Sequence, residues 1–173
     1  GLLRSHSEYL YENSLERMRL KLWTTLMLAA IIPVFAQWNP NPAVNSPVAT
    51  GITDDLQAIT GPSGRTYVAM FQPTSSGYSP RLQVLNDLGS PRLGPNGMQF
   101  NSTTSMGTST VTWDMRLDAN EHVYLGFTGT GNTDAVVHRL DSMGNHVWST
   151  TGIALGQGYD VKLLPLAGGD LMV

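Results

Sequence analysis

Hydrophobic and polar positions alternate in short runs along most of the chain, and turn-forming residues separate the runs. In the clearest run, HVYLGF at 122–127, the three apolar residues at odd positions share one face and the polar or small residues at even positions share the other. This two-residue period is typical of a β-strand. After residue 37 no segment keeps an apolar pattern at helical spacing over three turns. We therefore expect an all-β mature chain built from antiparallel strands.

The region from residue 112 to residue 149 predicts one complete unit of four strands. The strands are expected at 112–117, 122–127, 135–140 and 145–149, with turns at 118–121, 128–133 and 141–144. Asp and Asn favour such turns because they accept hydrogen bonds from their own backbone two residues on, and Gly takes a positive φ without steric cost. Four strands in roughly 40 residues are the content of one propeller blade.

The same pattern occurs in two parts of the chain at a nearly constant spacing. LNDLG at 85–89, followed by Gly-Met at 97–98, aligns with LDSMG at 140–144, followed by Gly-Ile at 152–153, at an offset of 55 (140 − 85). A second pair, 62–68 and 118–124, aligns at an offset of 56 (118 − 62), and a third copy begins at 166–173. A fixed period of this length indicates a repeat architecture. The turn residues expected to be structural in the repeat are Gly64, Asp87, Gly89, Asp118, Asn120, Asp141 and Gly144.

The repeat predicts an incomplete β-propeller over residues 54–173, with about two blades and part of a third. The alternative is a β-sandwich or an open β-solenoid in which similar hairpin turns arose independently, since such turns are common in all-β folds. Two similarities nearly in phase favour the propeller. The chain stops inside an expected strand, and repeat units bury their faces against neighbours, so we expect a fragment truncated at its C-terminus.

Residues 18–36 have the three parts of a secretory signal peptide. A basic start at 18–21 precedes a mostly apolar stretch at 22–35, and the small residue Ala36 stands before Gln37. We expect a helix here and cleavage between Ala36 and Gln37, which leaves no stable membrane span; an uncleaved anchor is the alternative. Residues 1–17 are interpreted as unstructured upstream read-through, or else as a long n-region, and residues 37–53 as a lead-in rich in Pro and Asn.

Charge and cysteine content exclude several classes of protein. Residues 37–173 contain six Lys and Arg and ten Asp and Glu, a formal charge of −4 (6 − 10), with Lys162 as the single lysine. Because no basic patch is present to neutralise phosphates, we expect no nucleic-acid partner. The chain has no cysteine, so a lipid anchor on a cysteine is excluded and disulfides cannot contribute to stability.

Motifs that suggest chemistry fail on inspection. The segment from Asp141 to Trp148 has its Gly three residues after the Asp, whereas a sialidase Asp box has it two residues after. Asp118 and Asn120 begin like a calcium loop, but the rest of the loop is missing. No Gly-x-Ser-x-Gly is present. Three histidines lie in predicted strands without local metal spacing, namely His122, His138 and His146. We expect no catalytic residue, no metal site and no cofactor.

Residues 116–173 resemble the β-propeller repeats of exported bacterial proteins. The resemblance is carried by DANEHVY at 118–124, GTGNTDAVV at 129–137 and LDSMGNHVWSTT at 140–151, and residues 54–100 match more weakly. The family pattern has Gly where this chain has Asn120 or Glu121. The Ala-Gln-Trp at 36–38 and the Asn- and Pro-rich start are similar to secreted Bacteroidetes proteins that carry such repeats before a C-terminal type IX secretion sorting domain.

The resemblance implies a location outside the cell or on the outer surface of a Gram-negative bacterium. It further implies a non-catalytic repeat region that acts as a scaffold for binding an extracellular protein or a glycan. The alternative is the propeller portion of a secreted carbohydrate-active enzyme whose catalytic residues lie outside this chain.

Overall fold

The computed structural model describes residues 47–173, except residues 52, 105, 108–112, 131–133 and 159. This part of the chain contains antiparallel strands and no helix, so the all-β class is confirmed. The predicted read-through segment, the signal peptide with its cleavage point at Ala36 and Gln37, and most of the lead-in lie outside the described residues. The strands are β1 (Asp54–Thr60), β2 (Thr66–Thr74), β3 (Gly77–Leu85), β4 (Met98–Gln99), β5 (Trp113–Leu117), β6 (Val123–Thr128), β7 (Asp134–Leu140), β8 (Ile153–Gln157), β9 (Leu164–Pro165) and β10 (Leu171–Met172).

The strands form two four-stranded sheets and one strand pair. Strands β1 to β4 make sheet 1 and β5 to β8 make sheet 2, each in chain order and antiparallel throughout. Strands β9 and β10 pair with each other, and residues 161–173, which contain them, are called the third unit below. Each sheet is thus a meander whose neighbouring strands are also neighbours in the chain.

The fourth strand of the predicted unit was placed wrongly at 145–149. Residue His146 makes only an isolated bridge to Leu140, and the strand that completes sheet 2 begins at Ile153. A turn closed by the 3.0 Å bond from Gly152 N to Ser149 O intervenes, and Gly152 has a φ of 75°. Sheet 1 follows the same path 55 residues earlier, with a bridge at 85 and 91 and the start of β4 at 98. The offset of 55 therefore relates equivalent positions from the third strand of each sheet to the fourth.

Strand β6 of sheet 2 is buried on both of its faces. One core cluster lies between sheets 1 and 2 and contains Leu125 and Phe127, together with Phe71 and Leu82. A second cluster contains Tyr124 from the opposite face of β6 and reaches the third unit at residues 161 and 163. The predicted division of β6 into two faces is correct, and each face packs on a different neighbour. Full burial of a side chain such as Phe127 stabilises the fold by about 1.5–3 kcal/mol.

Candidate functional site

Five hairpins with the same backbone hydrogen-bond pattern follow strands in the described part of the chain. They span residues 61–65, 86–90, 118–122, 141–145 and 166–170. In each, the first residue donates its N–H to the carbonyl of the fifth, and the fourth donates to the carbonyl of the first. This is the pattern of a three-residue hairpin loop that ends in a left-handed residue, and the 166–170 copy differs from the others because its third residue, Gly168, also has a positive φ of 92°. The fourth residue has a positive φ in every copy: Gly64 (83°), Gly89 (78°), Glu121 (60°), Gly144 (85°) and Gly169 (93°).

The predicted turn residues occupy different places within these hairpins. Asp118 and Asp141 are first residues, and Oδ1 of each accepts hydrogen bonds from the backbone N–H groups two and four residues on, at 2.8–2.9 Å. Asp87 is the second residue of its hairpin. The side chain of the first residue, Asn86, accepts the two equivalent bonds there, at 3.0 and 2.8 Å. Asn120 is a third residue. The offset of 56 is therefore wrong by one, because the hairpin beginning at 61 matches the one beginning at 118, an offset of 57 (118 − 61).

Glu121 occupies the position that Gly takes in the other four hairpins. Its carboxylate accepts hydrogen bonds from Ser63 N at 2.6 Å and from the hydroxyls of Ser63 and Tyr67 at 2.7 and 2.8 Å. Arg65 Nη1 lies 3.3 Å from Oε2. Burial raises the pKa of Glu121, but the bonds from Ser63, Tyr67 and Arg65 outweigh burial and hold the pKa below its usual 4.5. A non-glycine residue in this conformation is costly, and here the side chain ties sheet 2 to the first hairpin of sheet 1.

The contact made through Tyr67 recurs one unit later. Tyr67 donates its hydroxyl to Glu121, the fourth residue of the next unit's first hairpin. Tyr124 lies 57 residues after Tyr67 and donates to the carbonyl of Gly169, again the fourth residue of the following hairpin, at 3.3 Å. Equivalent tyrosines thus bind equivalent turns in successive units.

A second contact between units also recurs. Gln57 in β1 accepts a hydrogen bond through Oε1 from Met115 N in β5 at 3.1 Å. Asp114, again 57 residues later, accepts through Oδ2 from Leu163 N in the third unit at 2.9 Å. The first strand of each unit therefore carries a side-chain acceptor for the backbone of the next. Two different contacts between successive units thus occur at equivalent positions.

A cluster of polar side chains surrounds the first hairpin of sheet 2. Asp118 Oδ2 accepts from His122 Nδ1 at 2.9 Å and from Arg139 Nη2 at 3.3 Å. Tyr124 Oη also lies 3.3 Å from Asp118 Oδ2, so its one hydrogen is shared between this carboxylate and the carbonyl of Gly169. Burial raises the pKa of Asp118, but bonds from His122 and Asn120 outweigh it and hold the pKa below 3.8. Arg139 also donates to the carbonyl of Gly169 at 3.4 Å. The hydrogen bonds of the Asp118 carboxylate therefore hold the turn and the neighbouring side chains in place.

The predicted histidines are divided between two environments. His122 lies in the cluster just described, whereas His138 is fully buried, with its ring stacked on Phe127 at 6.0 Å between centroids. Burial, and secondarily the neighbouring His146, lowers the pKa of His138 to about 4. Within the described residues neither ring nitrogen of His138 has a hydrogen-bond partner, and no three His, Asp or Glu side chains are grouped to hold a metal ion. The chemistry available to His138 is that of a neutral core residue.

A polar groove of about 370 Å³ lies along β3 and β4 in sheet 1. Tyr78, Arg81, Gln99 and Asn101 contribute to its lining, and none of the described lining residues is acidic. Arg81 donates to the carbonyls of residues 96 and 97 at 2.9 and 3.1 Å, which fixes its guanidinium. Asn101, the first residue of the sequon at 101–103, is 2% exposed and donates to Thr104 O. The groove presents hydroxyl groups and the Arg81 guanidinium, whereas the Asn101 amide is buried and already bonded.

Most of these contacts were missed by reasoning from the sequence. Gln57 with Asp114 and Tyr67 with Tyr124 coincide only when the first hairpins are aligned at 57, and an alignment at 56 separates both pairs. These pairs can be found from the sequence by aligning the hairpins at 61–65 and 118–122, which requires that Glu121 be matched with Gly64. The described residues include no helix that is long and apolar enough to cross a membrane.

Comparison with known proteins gives no relative for this chain. No protein-family model, no curated protein and no solved structure matches it significantly. Fold and function are therefore argued from its own residues.

Proposed function

We propose that residues 54–173 are repeat units of an exported β-propeller that serves as a non-catalytic binding scaffold. The observation that carries the proposal is the pair of repeated contacts, from Gln57 and Asp114 to the next first strand and from Tyr67 and Tyr124 to the next first hairpin. In a radial array each unit contacts only its neighbours and does so in the same way. Antiparallel four-stranded sheets in chain order are the matching building blocks.

The polar residues support a scaffold rather than a reaction centre. The buried carboxylates of Asp114, Asp118 and Glu121 each accept hydrogen bonds that hold turns or neighbouring units together. A general acid or base needs a carboxylate that can reach a substrate. The groove beside Arg81 is lined by hydroxyl groups and the Arg81 guanidinium, which can bond to the hydroxyl groups of a glycan. We therefore propose binding of an extracellular protein or glycan without chemical change to it.

The location follows from the N-terminal pattern. We propose that residues 18–36 direct export from a Gram-negative cell of the Bacteroidetes type, and that the mature protein begins at Gln37 on the outer surface or in the medium. The repeats would follow the type IX route that similar secreted proteins use. The short apolar segment and the small residue at 36 support cleavage.

One experiment tests export and binding together. The coding region from Met18 is expressed in a Bacteroidetes host, and the N-terminus of the protein is determined by mass spectrometry in the periplasmic, surface and medium fractions. The matched control is Ala36→Tyr, which blocks cleavage by removing the small residue. We expect a mature N-terminus at Gln37 in the parent and an uncut precursor in the control. The exported protein is then incubated with a glycan array, and bound glycans are analysed for products.

The outcomes separate the possibilities. Capture of a glycan or surface protein that is recovered unchanged supports the scaffold. Release of a hydrolysed product would contradict a non-catalytic function, and an uncut, cytoplasmic product from the parent sequence would contradict export.

A further inference from the structure

The polar groove along β3 and β4 is formed by one continuous stretch of the chain. Its described lining residues all lie between 74 and 106. Arg81 and Gln83 point to one face of β3 because side chains alternate along a strand, and Gln99 in β4 is the partner of Arg81 across the sheet. The lead-in lies on the same face, where Gln83 donates to the carbonyl of Val48 at 3.2 Å. The groove therefore belongs to sheet 1 and to the segment that leaves β4.

Arg81 is the one charged side chain in the described lining of this groove. Within the described residues it forms no ion pair, whereas three other arginines each pair with a carboxylate: Arg65 with Glu121, Arg116 with Asp114 and Arg139 with Asp118. Residues 37–173 carry a formal charge of −4, so the groove is locally positive on a chain that is negative as a whole. A half-buried cation interacts more strongly with an incoming anion than a fully solvated cation does. An acidic group is therefore the ligand chemistry that this position favours.

Two backbone carbonyls hold the guanidinium of Arg81 and leave one of its edges available. Nε donates to Asn96 O at 2.9 Å and Nη2 donates to Gly97 O at 3.1 Å. These bonds occupy the side edge of the guanidinium. The end edge is formed by Nη1 and the second hydrogen of Nη2, and among the described residues its one neighbour is Ser79 Oγ, 3.5 Å from Nη1. Two parallel N–H groups on such an edge match the paired oxygens of an oxyanion. Because the side chain is already fixed, little rotamer freedom is lost on binding.

The repeat itself does not require an arginine at this position. Val136 and Ala154 stand 55 residues after Arg81 and Gln99, and they are partners across sheet 2 in the same way. The turn at 149–152, which precedes the fourth strand of sheet 2, closes with a 3.0 Å backbone bond. The turn that Arg81 binds in sheet 1 therefore has a counterpart in sheet 2 that forms with valine at the equivalent position. Holding this turn does not by itself account for Arg81.

We propose that the groove binds an acidic sugar of an extracellular glycan, whose oxyanion accepts hydrogen bonds from the end edge of Arg81. The oxyanion is a carboxylate or a sulfate ester, since both present paired oxygens. Ser76 and Ser102 are exposed in the groove lining, and their hydroxyls bond to the hydroxyls of the same sugar. The groove volume of about 370 Å³ lies within the roughly 300–1,000 Å³ of small-molecule sites. The inference rests on the proposed scaffold function and names the chemical class of one ligand.

The first test compares one oligosaccharide with and without its charge. Binding of tetragalacturonate and of its methyl ester to the 173-residue chain is measured by isothermal titration calorimetry. We expect the acid to bind about tenfold more tightly than the neutral ester and to lose affinity as salt is added. A sulfated galactose tetrasaccharide is the second acidic probe. Tighter binding of this probe identifies a sulfate ester as the recognised group, and tighter binding of tetragalacturonate identifies a carboxylate.

Variants of the protein test the position of the site. In Ser102→Asp the new carboxylate lies in the groove, pairs with Arg81 and repels the ligand, so affinity for the acid should fall about tenfold. The matched control is Ser90→Asp, which adds the same charge at an exposed residue outside the described groove lining and should bind as the parent does. Arg81→Lys keeps the charge but loses the paired N–H edge, so affinity should fall here too. Far-UV circular dichroism checks that all variants keep their β content.

Four results would overturn the proposal. They are no binding of either acidic probe, equal binding of the acid and its methyl ester, parent-like binding by Ser102→Asp, and equal weakening by Ser90→Asp and Ser102→Asp. Any of these results, together with export and with capture of a neutral glycan or a surface protein that is recovered unchanged, leaves the scaffold function standing. Loss of export, or a hydrolysed glycan, would instead contradict the scaffold function itself.

Discussion

Replacement of Glu121 separates the strain at this position from the bonds that its carboxylate makes. Glu121→Ala keeps a side chain in the left-handed region and removes the acceptor for Tyr67 and Ser63. Tyr67 is fully buried and loses its partner, whereas the exposed Ser63 can bond to water. Hydrogen bonds to charged groups contribute about 1.5–3 kcal/mol each. We expect the free energy of unfolding to fall by about 3 kcal/mol.

Glu121→Gly loses the same bonds but relieves the left-handed strain, which costs about 1–2 kcal/mol for a residue with a side chain. The glycine variant should therefore be more stable than the alanine variant by about 1 kcal/mol. Urea unfolding, followed by tryptophan fluorescence, measures both. Tyr67→Phe combined with Glu121→Ala completes a double-mutant cycle, in which we expect a coupling of about 1–3 kcal/mol. The reasoning is refuted if both single variants match the parent, or if alanine is the more stable of the two.

The pH dependence of stability tests the bonds of Glu121 in a second way. Its folded-state pKa is below the unfolded value of 4.5, so its stabilising effect is present above pH 4.5 and is lost as the pH falls through the folded pKa. Glu121→Ala should lack this part of the acid sensitivity. An unchanged stability profile between parent and variant below pH 4.5 would count against the ion pair and hydrogen bonds described here.

Three further predictions concern other contacts. The pKa of His138 is about 4 in the folded state and 6.5 in the unfolded state, so protonation favours unfolding. The free energy of unfolding should therefore fall by about 3 kcal/mol from pH 6.5 to pH 4. His138→Leu should flatten this part of a plot of urea midpoint against pH, and an unchanged slope would contradict the prediction. Gly126→Ala places a carbon 2.6 Å from Val161 Cγ1, and we expect thermal unfolding to show a loss of about 1–3 kcal/mol in the free energy of unfolding. The control is Gly158→Ala, where the nearest atom is 3.6 Å away, and its stability should be close to that of the parent. Asp114→Ala removes the acceptor for the N–H of Leu163, so the free energy of local opening at Leu163 should fall by about 1–3 kcal/mol and hydrogen exchange there should become faster. Equal protection in parent and variant would exclude this bond as a link between units.

Alternation and turn chemistry were sufficient to predict the first three strands of sheet 2 and the hairpins at 118–122 and 141–145. The turns at 86–90 and 141–145 were found because each combines Asx and Gly residues, although in the first of them Asp87 was expected in the role that Asn86 has. The fourth strand could not be placed in the same way. Residues 145–149 have strand-like composition, but pairing stops after one bridge and a turn at Gly152 redirects the chain to Ile153. Residue composition indicates only a local preference for strand, whereas backbone pairing with β7 determines where the fourth strand begins.

The contacts between units were beyond local reasoning for a different reason. Glu121 is unfavourable at a left-handed position when considered alone, and its compensation comes from residues 54 to 58 positions earlier in sequence. The acceptors Gln57 and Asp114 differ in chemistry, so no shared motif identifies them. Their equivalence depends on how the first strands approach one another, which is a property of packing.

The central claim is that successive units are related by one repeated operation. A crystal structure of the 173-residue chain tests it directly, by comparing the rotation that superposes β1 and β2 on β5 and β6 with the rotation that superposes β5 and β6 on β9 and β10. The account predicts the same rotation twice, with Met115 N bonded to Gln57 and Leu163 N bonded to Asp114. Two unequal rotations, with sheets 1 and 2 packed as a sandwich and either bond absent, would contradict it.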